Sequence, residues 1–351
     1  MEKGKMLLVS LGQGAGNIVD GLLSRNPRYN GLFLNSSLFD IKPLKNADMS
    51  KNVYLYPGTD GSGRDRNKSK EMIKDNVNSI GTLLSKYPLT EVVVVFTTMA
   101  GGTGSGAVKT FIQIVKKVLP KAKVNVVAIL PSLKEDELAF KNTIECWNDI
   151  NSIMDLISDV KFVDNNKRNT YKEINNEVIE SLDLAYNIIG IHADGSIDNK
   201  DSFRINTAEG SGLILKLYDG LKDVKTAIDL AIKNSVFVQP DVYYCDYLGI
   251  NLKVDGYDPY EVSKLFEVYK STYITYNNKN NIVVLGGCET PTESINLIKM
   301  ALDEKNKRKL SRNKKRSVII DIDTDGIDNK EDIDGLNNSE LNDLFEDNYA
   351  F

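Results

Sequence analysis

Short apolar blocks alternate along the chain with stretches in which apolar residues recur every three or four positions. Lys5–Leu11, Leu32–Asn35, Val92–Phe96, Val124–Leu130 and Val160–Val163 are blocks of the first kind. Their length and β-branched content predict strands buried on both faces, as in a parallel sheet. Helical spacing is predicted up to about Arg25, over Ser69–Tyr87, from about Ser105 to Leu119, and over most of Glu135–Ile157. In Ser69–Tyr87 the apolar positions are Met72, Ile73, Val77, Ile80, Leu83 and Leu84, and Pro88 stops the pattern. Tyr56–Asn67, rich in Gly, Asp and Arg, reads as a long loop. Strands alternating with helices predict a doubly wound α/β fold, a parallel sheet with helices on both faces.

The rhythm then changes. Tyr171 to about Ile191 reads as one long helix, followed by a polar loop, His192–Asp201. Strands at Tyr243–Val254, Thr272–Tyr276 and Ile282–Leu285, with a helix at Pro259–Tyr269, predict a second α+β domain. Helical spacing resumes at Pro291–Leu302 and runs into Lys305–Arg316, where eight of twelve residues are Lys or Arg. Asp321–Asp347 is strongly acidic. Charge segregated in this way predicts an exposed tail. The expected organisation is therefore a first domain over 1–170, a central helix over 171–191, an α+β domain over 192–290, a basic helix over 291–316 and a flexible acidic tail over 317–351.

Composition narrows the function classes. No apolar run approaches the ~20 residues that span a bilayer, and the N-terminus lacks a signal-peptide pattern. Direct membrane insertion is not expected, and the cytoplasm is the expected location. Cys146, Cys245 and Cys288 are scattered without metal-ligand spacing, so no metal site and no disulfide framework is predicted. A net charge of −5 over 351 residues does not suggest a nucleic-acid binder.

Two glycine-rich turns each join a strand end to a helix start. They are Gly12-Gln13-Gly14-Ala15-Gly16-Asn17 and Gly101-Gly102-Thr103-Gly104-Ser105-Gly106. Phosphate oxygens are well met by backbone N–H groups at a helix N-terminus, and glycine lets the backbone come close. Thr103 and Ser105 add hydroxyl donors. The first turn resembles a dinucleotide fingerprint, but its third glycine arrives one residue early. The acid expected ~20 residues later on the ribose is absent; Asn35-Ser36-Ser37 stands there instead. A Rossmann NAD-dependent oxidoreductase is the alternative from a different class, and it leaves the second turn unexplained. That turn is not a Walker A loop, since no Gly-Lys-Ser/Thr follows.

Gly101–Gly106 resembles the tubulin signature Gly-Gly-Gly-Thr-Gly-Ser/Thr-Gly, with Ala100 at the first glycine. Most of residues 5–290 follows the order of the tubulin/FtsZ superfamily. The resemblance implies a tubulin/FtsZ-like fold: a Rossmann-like GTP-binding domain, a long central helix, a second α+β domain, and a C-terminal helix with a tail. It implies that Gly12–Asn17, Asn35 and Gly61-Ser62-Gly63-Arg64 are nucleotide loops, the last beside the γ-phosphate. Asp164-Asn165 and Thr170-Tyr171-Lys172-Glu173-Ile174-Asn175 resemble the family's base-recognition stretches. Tyr171 and Asn175, four apart, share one helix face; a tyrosine ring stacks on a purine and an asparagine amide offers a donor and an acceptor. The implied ligands are GTP and GDP, with Mg²⁺ held through the phosphates.

The family's central helix ends in a loop bearing Asn-x-Asp-x-x-Asp. Ser196-Ile197-Asp198-Asn199-Lys200-Asp201 resembles it, with Ser196 in place of the asparagine. The resemblance implies that Asp198 and Asp201 act on GTP bound by the next subunit, so that hydrolysis is coupled to head-to-tail homopolymer filaments. The layout, the loop Gly61–Arg66 and the basic-then-acidic end look like the TubZ-type branch of plasmids and phages. That branch implies DNA segregation through a DNA-bound adaptor engaged by the tail; a division role of the FtsZ kind is the alternative.

Overall fold

Alternating side chains of three adjacent strands divide the hydrophobic core into two layers. Met6 and Leu8, Val92, Val94 and Phe96, and Val127 and Ile129 face one layer. Leu7, Val9 and Leu11, Val93 and Val95, and Val124, Val126 and Ala128 face the other. This two-residue period is the signature of a sheet covered on both faces. The computed structural model describes residues 1–221, 223–240, 243–277 and 279–316. The expected acidic tail lies outside the described residues.

The first half contains β1 (Met6–Leu11), α1 (Gln13–Arg25), β2 (Asn30–Asn35), α2 (Leu38–Ile41), β3 (Val53–Leu55), α3 (Arg66–Asp75), α4 (Val77–Leu84), β4 (Val92–Thr98), α5 (Thr103–Val118), β5 (Lys123–Leu130), α6 (Glu137–Asn151) and β6 (Asp159–Asp164). The second contains α7 (Tyr171–Tyr186), β7 (Gly190–His192), β8 (Gly195–Ile197), α8 (Asn199–Asn206), β9 (Gly210–Lys216), α9 (Val224–Asn234), β10 (Tyr244–Lys253), α10 (Pro259–Ser263), β11 (Glu267–Asn277), β12 (Ile282–Cys288) and α11 (Thr292–Arg316). The main sheet runs β11-β10-β12-β9-β6-β5-β4-β1-β2-β3. Its β3-β2-β1-β4-β5-β6 part is parallel throughout. β9, β10, β11 and β12 of the 192–290 region join the same sheet through the parallel pairing of β6 with β9 at Asp159–Gly210 and Val160–Ser211, while β7 and β8 form a separate two-stranded sheet. Met1–Lys307 forms one compact unit, and beyond it only the end of α11 is described. α1, α7 and α9 supply apolar residues to one layer; α3, α4, α5, α6 and α11 supply the other.

Several expected elements differ. The helix expected over Ser69–Tyr87 is two, because Asn76 ends α3 and its amide donates to Met72 O at 2.8 Å. α7 stops at Tyr186, short of Ile191: Asn187 caps it, its side chain donating to Asp183 O at 2.8 Å. Gly190–His192 then forms β7, paired with β8, so the expected polar loop His192–Asp201 is a hairpin and the start of α8. The helix expected over Pro259–Tyr269 ends at Ser263, since Glu267–Asn277 is rich in Tyr, Thr, Val and Ile and takes the strand conformation such residues favour.

Candidate nucleotide site

A sheet of order 3-2-1-4-5-6 reverses direction between β1 and β4, and the crevice beyond the C-terminal strand ends at such a point is where α/β folds bind ligands. A cavity of about 350 Å³ lies there. β4 contributes its last residue, Thr98; β5 contributes Ile129 and Leu130; the start of α1 contributes Gln13, Gly14, Asn17 and Ile18. Ala100, Gly101, Arg64, Pro131 and Glu135 form further wall. Asn165, Tyr171 and Asn175 close the far end.

That far end is built by a capping box. Thr170 Oγ1 accepts the Glu173 backbone N–H at 3.2 Å, and Glu173 Oε2 accepts that of Thr170 at 3.0 Å. The box starts α7 so that Tyr171 and Asn175 face the cavity together. Tyr171 is 56% exposed, leaving a ring face free. Its hydroxyl donates to Glu135 Oε1 at 3.2 Å; burial and that carboxylate push the phenol pKa up, so it remains a donor. Asn166 ties the β6–α7 loop to the β5–α6 loop by accepting the Leu133 backbone N–H at 2.8 Å, which fixes the stretch carrying Asn165.

At the opposite end, three loops meet through hydroxyls. Ser36 Oγ and Thr103 Oγ1 are 2.8 Å apart, and Thr103 Oγ1 donates to Ser62 Oγ at 3.1 Å. A Cβ on Gly102 would lie 2.3 Å from Ser62 Oγ and 2.7 Å from Arg64 Cα, so a side chain there would drive the loops apart. The first turns of α1 and α5 both open here, and backbone N–H groups of two helix N-termini converge on one crevice.

Other residues expected at the site have different surroundings. Ser105 is fully buried: its hydroxyl donates to Gly101 O and accepts from Arg66 Nε at 3.2 Å, so it does not face the cavity as a phosphate donor. Gly106 lies against Arg66 O and Gly104 against Leu11 O, both as packing contacts. Asn35 Oδ1 accepts the backbone N–H groups of Ser36 and Ser37 at 2.7 and 3.2 Å, shaping that loop from within. Ala15 is in the core. Gly12, with φ of +83°, is the N-cap of α1. Gly16 is a buried residue of α1 packed against Leu44, and Gly61 and Gly63 belong to the loop before α3; none of the three lines the cavity. The sequence pattern missed Thr98 and Glu135: neither belongs to a glycine motif, and each enters the cavity only because its strand end or loop arrives there.

Asp198 and Asp201 stand at the other end of the sheet. Asp198 is the N-cap of α8, its Oδ1 accepting the backbone N–H groups of Lys200 and Asp201 at 2.7 and 2.9 Å, while Asp201 Oδ2 accepts that of Asp198 at 3.2 Å. The N–H of Asp201 is the main cause holding the Asp198 carboxyl below the usual range. Asn199, Lys200, Phe203 and Arg204 share a cleft with Met6 and Val92, the first residues of β1 and β4. The nucleotide cavity lies at the last residues of the same strands, ~20 Å away at ~3.3 Å per residue. The two carboxylates cannot reach a ligand held in the cavity of their own chain.

Residues 5–169 match the Tubulin/FtsZ family, GTPase domain. The chain is 31% identical over 333 residues to the tubulin-like protein TubZ of Clostridium botulinum C phage, covering 93% of this chain and 92% of that one. The solved structure of Clostridium botulinum phage c-st TubZ, truncated at its C-terminal tail, superposes with a TM-score of 0.81 at 30% identity over 88% of this chain and all of that one (100%). A GTPγS-form protofilament of Bacillus thuringiensis serovar israelensis TubZ shares the fold, with a TM-score of 0.75 at 14% identity over 88% of this chain and 94% of that one.

Proposed function

The chain belongs to the tubulin/FtsZ family of GTPases, and from that premise we propose that it assembles head to tail into filaments whose subunit junctions complete the site of GTP hydrolysis. Guanine stacks on Tyr171, with the amides of Asn165 and Asn175 on its polar edge. Glu135 accepts from the ribose hydroxyls. The phosphates lie along the first turns of α1 and α5, with Gln13, Thr103 and Ser62 as side-chain donors. Mg²⁺ arrives with the phosphates, which supply its oxygen ligands.

Asp198 and Asp201 of the adjoining subunit orient the attacking water. A carboxylate held ionised by backbone N–H groups is suited to accept a water proton or hydrogen bond, and phosphoryl transfer needs chiefly positioning and charge neutralisation. The observation that carries this reading is the separation of the two sites. The acids and the cavity occupy opposite ends of the same strands, so one copy stacked on the next brings them together, and a contact between two different faces propagates as an open filament. A single-stranded junction suffices for the chemistry. Likeness to phage TubZ supports DNA segregation as the cellular role, with a DNA-bound adaptor as partner of the tail.

The test is GTP turnover against protein concentration, with light scattering in the same cuvette. Specific activity is expected to rise steeply above a threshold concentration, together with scattering. A specific activity independent of concentration would mean that each subunit carries a complete site, and the junction mechanism would be abandoned.

A further inference from the structure

Among the described residues lining the candidate nucleotide cavity, Arg64 is the one basic side chain. Helix N-termini present only partial positive charge, so this guanidinium is the largest positive charge facing a ligand there. In this structure it is paired with Asp136: Nη1 donates to Oδ2 at 2.6 Å and Nη2 to Oδ1 at 3.0 Å. The two side chains are 40% and 61% exposed, so water screens the pair and both partners are open to a competing ligand. Asp136 does not depend on Arg64 for a partner. It is the N-cap of α6 and accepts the Ala139 backbone N–H at 2.9 Å.

The backbone of Arg64 is held in place. Its φ is +64°, and it is the one non-glycine residue with positive φ among the described residues. An arginine is disfavoured in this region. Asn142 Nδ2 secures it, donating to Arg64 O at 3.0 Å, to Ala100 O at 3.1 Å and to Gly101 O at 3.3 Å. One amide thus ties the Arg64 loop, the second glycine turn and α6 together at the phosphate end of the cavity.

The family resemblance already sets the Arg64 loop beside the γ-phosphate; we propose that Asp136 competes with the nucleotide's phosphates for the Arg64 guanidinium. The inference rests on the GTP-binding reading above. Phosphate is a better partner than Asp136 because it offers more charge while taking guanidinium donors in the same parallel pairs as the carboxylate. When Arg64 turns to phosphate, Asp136 retains its cap bond and the favourable end of the α6 dipole, so no carboxylate is stranded. Asp136 then sets how tightly the nucleotide is held.

Two substitutions separate the roles in the full-length chain. Arg64→Gly removes the guanidinium at a φ that glycine adopts freely. Asp136→Asn removes the competing charge while keeping an N-cap of equal quality. GTP, GDP and guanosine are titrated calorimetrically into each. Arg64→Gly is expected to weaken GTP and GDP by about tenfold or more, and to leave guanosine within about twofold. Arg64→Lys recovers part of the loss. Asp136→Asn tightens GTP by about a few fold, and the gain vanishes in the double variant with Arg64→Gly. Unchanged GTP affinity in Arg64→Gly overturns the proposal. So does a guanosine loss equal to the GTP loss, which marks a structural role, or a gain from Asp136→Asn that survives without Arg64. A wild-type chain that binds none of the three ligands overturns the nucleotide reading itself, a result distinct from all of these.

Discussion

Asp198→Asn and Asp201→Asn are each expected to lower GTP turnover by about 10²-fold while leaving GTP affinity unchanged. Asparagine is the informative replacement. Asp198 caps α8 and Asp201 completes the box, and Asn serves an N-cap as well as Asp does. Alanine would remove the cap at a cost of about 1 kcal/mol and mix a folding defect with a chemical one. The amide keeps the cap and loses only the ability to take a proton or bind water as an anion. Affinity stays because the cavity is formed by other residues at the far end of the strands. Steady-state turnover and calorimetric titration of the same preparations check this. Turnover within about twofold of wild type in both variants would remove these carboxylates from the chemistry.

Gly104→Ala is expected to destabilise the protein by about 2 kcal/mol and to weaken nucleotide binding with it. A Cβ at Gly104 would lie 2.4 Å from Leu11 O and 2.8 Å from Thr97 Oγ1. Leu11 O is backbone at the end of β1, so relief requires α5 to shift away from the sheet, and the proposed function places the phosphates along the first turn of α5. The sign of the change is diagnostic. Alanine is the better helix former by about 1 kcal/mol, so without the clash the variant would be stabilised. Gly81, within α4, is the control: the nearest atom to its Cβ is Val118 Cγ2 at 3.6 Å, an ordinary contact. Gly81→Ala should raise stability by up to about 1 kcal/mol. Chemical denaturation midpoints of the two variants should move in opposite directions.

Those two glycines illustrate what was legible in the amino-acid sequence. A glycine turn between a buried strand and a helix is a local pattern, so the loops at Gly12–Asn17 and Gly101–Gly106 could be placed from spacing alone. The assignment of roles within a turn was less legible. Ser105 stands among the signature residues, yet the helix that begins at Thr103 rotates it inward onto Gly101 O and Arg66. Tyr171 and Asn175 could be paired because one helix face connects them. The β7–β8 hairpin, β9 and α9 were not anticipated, and neither was the joining of β9 to β6: β7 and β8 are three residues each, too short to show a period, and the β6–β9 pairing joins Asp159 to Gly210, far apart in sequence. Glu135 and the Arg64–Asp136 pair are long-range juxtapositions of the same kind. Arg64 and Asp136 are 72 residues apart, and only the folded sheet brings their loops together.

Complementation between two defective subunits tests the central claim most directly. One subunit carries Asp198→Asn with Asp201→Asn and an intact cavity. The other carries Asn165→Ala with Asn175→Ala, which removes base recognition but leaves both acids. GTP turnover is measured for each alone and for the mixture at the same total protein. If the acids act across the junction, the second subunit supplies them to GTP held by the first, and the mixture turns over several times faster than the two separate rates combined. A mixture that shows only the sum of the two rates would contradict a site shared between subunits.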